Sequence, residues 1–112
     1  MNSVTMDKSK AFALRIIKLY KYLTEQNEYI LARQIVRCGT SIGANVKEAQ
    51  NGQSRADFYA KMYIALKEAS ETEYWLELLH ESDYIDDTAF DSIYSDCKEL
   101  IRLLTSITKT AQ

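Results

Sequence analysis

No proline interrupts the 112 residues, and two of the three glycines, Gly39 and Gly43, lie four apart inside an apolar segment. A chain of strands needs frequent turn residues to reverse its direction, and this one lacks them. Its apolar residues instead recur every three or four positions, the period of a helix with one buried face. The sequence therefore predicts an all-α protein.

Phe12, Ile16, Leu19 and Leu23, widened by Ala13 and Tyr20, mark a first helix over about residues 5–25. Polar Thr24–Glu28, with Asn27, reads as a short connection. Leu31, Ile35, Cys38, Ile42, Asn45 and Ala49 form the stripe of a second helix, about 28–51. Glycine inside a helix costs about 0.5–1 kcal/mol relative to alanine, so Gly39 and Gly43 suggest a close approach by a neighbouring backbone or bulky ring. A helix break there is the alternative; the unbroken apolar period favours continuity.

Ser54-x-x-Asp57 has the form of a helix cap and starts a third helix, 55–81. Phe58, Met62, Ala65, Ala69, Thr72, Leu76 and Leu79 are its main stripe, Ile64, Trp75 and Leu78 an adjacent one, and Tyr59, Tyr63 and Leu66 lie on yet another face. Either this helix is the most buried element, or part of it meets another subunit, with Tyr59, Tyr63 and Leu66 as the candidate interface. After a polar link, Ser82–Asp87, Asp86 or Asp87 caps a fourth helix, 87–108, whose stripe includes Phe90, Ile93, Cys97, Leu100 and Leu104. Short links force an antiparallel up-down-up-down four-helix bundle, and residues 1–112 suit one domain.

The net charge of -2 is unevenly spread. Residues 1–50 carry eight Lys/Arg against four Asp/Glu, a net of +4, and residues 51–112 carry six against twelve, a net of -6. Two solvated surfaces of differing sign are the simpler reading; a polarised field is the other. Cys38 and Cys97 fall on apolar stripes and are expected as free thiols in a reducing compartment. With no membrane-span pattern and no signal-peptide hydrophobic run, the protein is expected in the cytoplasm.

Catalytic patterns are missing: there is no glycine-rich phosphate loop and no Gly-x-Ser-x-Gly turn, and one histidine must serve any triad. The expectation is a protein that is not an enzyme, with no cofactor, metal or small-molecule substrate. Glu77-x-x-His80 has the spacing found twice in di-iron bundles, but a single histidine cannot supply the second copy, so it reads as a solvated pair near a helix end. The polar residues that interrupt apolar faces are more informative. Asn45, with Arg37, Ser41 and Glu48 beside it, and Glu68 with Glu71 on the third helix are candidates for a partly buried network in which Arg37 pairs with Glu68 or Glu71 and Asn45 completes the set. Fixing helix register is the preferred role, binding the other. Lys8, Lys10, Arg15, Lys18, Lys21 and Arg33 form a basic arc that could meet nucleic acid, especially if repeated around an oligomer, although a solvated face is the better reading.

The stretch Arg37-Cys38-Gly39-Thr40-Ser41-Ile42-Gly43-Ala44-Asn45, followed by Leu66-Lys67-Glu68-Ala69-Ser70-Glu71-Thr72-Glu73-Tyr74-Trp75, resembles the bacterial four-helix-bundle family named for open reading frames in 23S ribosomal RNA intervening sequences. The similarity spans nearly the whole chain. It implies a subunit of a ring-like homopentamer, an assembly or adaptor protein of unknown cellular role with no established catalysis. A branch of that family, the accessory variability determinant of diversity-generating retroelements, implies the alternative of a nucleic-acid-binding accessory with a reverse transcriptase or rRNA partner. That branch is strongly basic, whereas this sequence is acidic.

Overall fold

The computed structural model describes residues 3–110, as four helices: α1 Ser3–Glu25, α2 Ile30–Gln50, α3 Arg55–Glu81 and α4 Asp87–Lys109. The backbones approach one another in the order α1, α2, α3, α4 and back to α1, and not across either diagonal among the described residues. This is the antiparallel bundle expected, 44 × 20 × 19 Å. Its core runs the length of all four elements and includes Phe12, Ile16, Ile35, Ile42, Met62, Leu76, Leu100 and Leu104. No helix among the described residues is long and apolar enough to cross a membrane.

Helix α2 is continuous across both glycines, and the close approach expected there comes from α1. A Cβ added at Gly39 would lie 2.8 Å from both Cγ1 and Cγ2 of Ile16, while one at Gly43 would lie 3.3 Å from the Ser9 hydroxyl and 3.5 Å from its backbone. The missing side chains let α1 and α2 close up where ordinary residues would hold them apart.

Two turns at one end of the bundle share one construction. Asn27 and Asp83 adopt left-handed φ values of 63° and 67°, a region in which Asn and Asp are tolerated better than other non-glycine residues. In each case the next amide reaches back five residues, Glu28 N to Leu23 O at 2.9 Å and Tyr84 N to Leu79 O at 2.9 Å. The turns are then tied together, because Tyr84 donates its hydroxyl to Glu28 Oε2 at 3.2 Å. The other Glu28 oxygen accepts from Leu31 N at 2.7 Å, capping α2 one residue ahead of its nominal start. Ser54 caps α3 through Asp57 N at 3.0 Å, and Asp86, rather than Asp87, caps α4 through Ala89 N at 2.8 Å.

Candidate functional site

Arg37 lies on α2 and Glu68 and Glu71 on α3, facing one another across the seam between these helices. The Arg37 guanidinium is in hydrogen-bond contact with Glu71 and 3.7 Å from Glu68 Oε2. Trp75, one turn beyond Glu71, donates its indole N–H to Glu71 Oε2 at 3.0 Å. That bond, then the one from Arg37, holds the Glu71 carboxyl below the usual carboxylate range. Glu71 in turn raises the pKa of Arg37. The indole was not foreseen as a member; its spacing of four from Glu71 on one helix was the available signal.

The group is smaller and more open than the sequence suggested. Arg37 has a side chain 51% exposed, so the cluster has a solvated mouth and a dry floor at Glu68, 15% exposed. Asn45 does not complete it: its amide donates to Ser41 O on its own helix at 2.8 Å. Ser41 likewise donates to Arg37 O at 2.6 Å, and Glu48 pairs with Lys61 at 3.1 Å. The reason is reach. Short Ser and Asn side chains on a helix readily satisfy themselves on the carbonyl four residues back.

The basic arc is also divided. Lys8 pairs with Glu99 at 3.2 Å and Arg15 with Asp96 at 2.7 Å, both across the α1–α4 seam. Lys10, Lys18, Lys21 and Arg33 are exposed and have no ion-pair partner among the described residues.

Of the three residues proposed as an interface, Tyr63 is 41% exposed, though its hydroxyl donates to Thr108 O at 3.2 Å. Tyr59 and Leu66 are half-buried in their own subunit, Tyr59 edge-on to Phe58 and Leu66 against the core. The outward stripe of α3 is instead centred on Tyr63, Ile64 and Tyr74, the last two 40% and 53% exposed, with Ala60, Lys67 and Ser70 between and beside them. Helical spacing placed Ile64 with Trp75, but only Trp75 turns far enough toward α2 to be half-covered.

Glu77 and His80 go separate ways. Tyr94 donates to Glu77 Oε2 at 2.6 Å, a bond that raises the tyrosine pKa. His80 Nε2 lies 2.7 Å from Asp87 Oδ1, and its ring stacks on Phe90 at 4.0 Å. Among the described residues no three His, Cys, Asp or Glu side chains gather as a metal site. Both thiols are free and buried. Burial pushes Cys38 up to about 11 and Cys97 up to about 12, so each is protonated at neutral pH and a weak nucleophile.

Such a molecule falls in the class of small four-helix bundles. The chain belongs to the 23S rRNA-intervening sequence protein family, whose sequence pattern matches residues 1–106. It is similar to a crystal structure from Bacteroides thetaiotaomicron VPI-5482, described as a protein with unknown function from the S23 ribosomal protein family. The two are 56% identical with a TM-score of 0.92, over 94% of this chain and 98% of that one. No curated protein matches.

Proposed function

We propose that the protein is a non-catalytic subunit that assembles with copies of itself, in the ring of five that the family resemblance implies, and serves in the cytoplasm as an assembly or adaptor protein. The observation that supports this reading is the outer face of α3. A helix facing water ordinarily carries charge there, yet Tyr63, Ile64 and Tyr74 are each at least 40% exposed, with Lys67 between them. Large apolar side chains along one outward helix face, even broken by Lys67 and Ser70, are the kind of surface that meets another chain. Light scattering on a sizing column at micromolar concentration tests it. The expected mass is five times that of the chain; a monomer overturns the reading, and another closed number keeps self-assembly while removing the ring of five.

A second reading, a nucleic-acid accessory with an rRNA or reverse-transcriptase partner, draws on Lys10, Lys18, Lys21 and Arg33, whose charges are not used within the subunit's described ion pairs. Four such groups repeated in an oligomer would neutralise several phosphates. Binding to a single-stranded RNA should then weaken steeply with salt and fall further in Lys18→Glu/Lys21→Glu; no binding at low salt ends this reading.

A further inference from the structure

We propose that the tyrosine-lined hollow at the turn end of the bundle docks a basic segment of another protein, taking an arginine side chain among Tyr22, Tyr84, Asp83 and Asp86. This gives the adaptor part of the reading above a partner and does not depend on copies of the chain assembling. Charge is sorted along the bundle. Residues 22–33 and 78–91, the two left-handed turns and the helix ends they join, hold seven Asp/Glu and one arginine, a net of -6. Because the whole chain is at -2, the remaining residues sum to +4. Of the seven carboxylates only Asp87 is in an ion pair among the described residues, with His80. The same end also holds large apolar side chains in water: Tyr22, Tyr29 and Ile30 are 44%, 52% and 73% exposed. An acidic surface of this kind repels phosphate and anionic lipid, and fits a cationic partner that has apolar area of its own to bury.

The hollow has a volume of about 540 Å³, within the range of ligand pockets. Leu19 and the buried Ile85 give it an apolar base. Tyr84 is fixed by its bond to Glu28 at 3.2 Å, and Tyr22 lines the hollow from α1. Asp83 has no ion-pair partner among the described residues, and Asp86 commits only Oδ1 to the α4 cap. Arginine is the cation that such a lining selects. Its flat guanidinium can lie on a tyrosine ring and donate two parallel hydrogen bonds to a carboxylate, neither of which an ammonium does as well. Beyond Leu19 the depression continues to Arg15 and Lys18. Arg15 is held by Asp96 and Ser92, while exposed Lys18 repels a cation. The segment therefore runs from the hollow over the turns toward Glu28 and Ile30, away from Lys18.

The probe is a short fluorescein-labelled peptide of alternating arginine and leucine, titrated with the full chain and followed by anisotropy at low salt. Asp83→Asn/Asp86→Asn removes both charges from the hollow but keeps its backbone, since asparagine tolerates the left-handed turn and caps a helix as aspartate does. Glu81→Gln/Asp91→Asn removes the same charge from the same end, outside the hollow. Circular dichroism melts confirm that both are folded. Binding should fall at least roughly tenfold in the first variant, the loss of a charge-assisted hydrogen bond, and no more than roughly threefold in the second, the loss of field alone. The same peptide with lysine in place of arginine should bind more weakly. No binding at low salt, an equal loss in the two variants, or lysine binding as tightly as arginine overturns the site. Light scattering keeps this apart from self-assembly: Asp83→Asn/Asp86→Asn should have the mass of the unaltered chain, whether monomer or oligomer. A smaller assembly would put the hollow between copies and overturn its docking of another protein.

Discussion

Gly39 shows how one missing side chain sets the distance between two helices. In Gly39→Ala the new methyl meets Ile16 at the base of a β-branched side chain, which has little rotameric freedom to retreat. Overpacking of this kind costs about 1–3 kcal/mol, against a gain of about 1 kcal/mol in helix propensity. Gly43→Ala is tighter than ordinary contact only at the Ser9 hydroxyl, 3.3 Å away, which must give by a few tenths of an ångström, and it keeps most of the propensity gain. Thermal melts should therefore place Gly39→Ala below the parent and Gly43→Ala level with it or above; the reverse order would disprove the packing account. Arg37 and Glu71 offer a second measurement. Because the pair is partly solvated, a double-mutant cycle should give a coupling of only about 0.5–1 kcal/mol. The pH dependence has a fixed sign: Glu71 titrates lower folded than unfolded, so its contribution is complete above the unfolded carboxylate pKa and is lost as pH falls through the folded value. Glu71→Gln should flatten the acid limb of the stability curve; an unchanged limb would remove the pair from the account.

Helix ends show what the sequence made legible and what it hid. Ser54 and the Asp86–Asp87 pair were readable as caps because a cap acts within three residues of its target, a local relation that spacing captures. Glu28 was read as the end of a polar link and the start of the second helix, but not as a cap: its bond to Leu31 N is as local as the others, yet glutamate is not among the preferred capping residues, and its second contact, with Tyr84, is 56 residues away. Asn45 misled for the opposite reason: its place on an apolar stripe suggested a long-range partner, and the helix itself supplied a local one. Apolar periodicity fixed the four helices to within one or two residues, but it could not tell which outward side chains of α3 would be covered, because α2 and α4 shield its flanks unequally. The twin turns give a test at this scale. Asp83 holds a left-handed backbone that glycine adopts without steric cost, so Asp83→Gly should raise the melting temperature and Asp83→Ala should not. Asp86→Ala, which removes the α4 cap, should cost about 1 kcal/mol.

For the whole molecule, the uneven charge acquires a role within the subunit. Cations of the basic first half meet carboxylates of the acidic second half at both seams joining the halves: Lys8 and Arg15 with Glu99 and Asp96, and Arg37 with Glu68 and Glu71. The α1–α2 seam is joined instead by the glycines, where helices close up without charge. Complementary seams favour one order of helices around the core, yet solvated pairs contribute little each, so molar salt should lower the melting temperature only slightly. Tyr63, Ile64 and Tyr74 on the outer face of α3 are exposed apolar area whose burial would stabilise the fold further. An oligomer that buries it binds the folded chain and not the unfolded one, so stability must rise with protein concentration by mass action. The melting temperature should climb across a hundredfold dilution series, from dilute to concentrated, and Ile64→Glu/Tyr74→Lys should abolish the climb while leaving the dilute-limit melt nearly unchanged, because neither side chain belongs to the buried core. A parent chain whose melt is independent of concentration, at levels where the assembly dissociates on a sizing column, would show that this face contributes nothing to holding copies together.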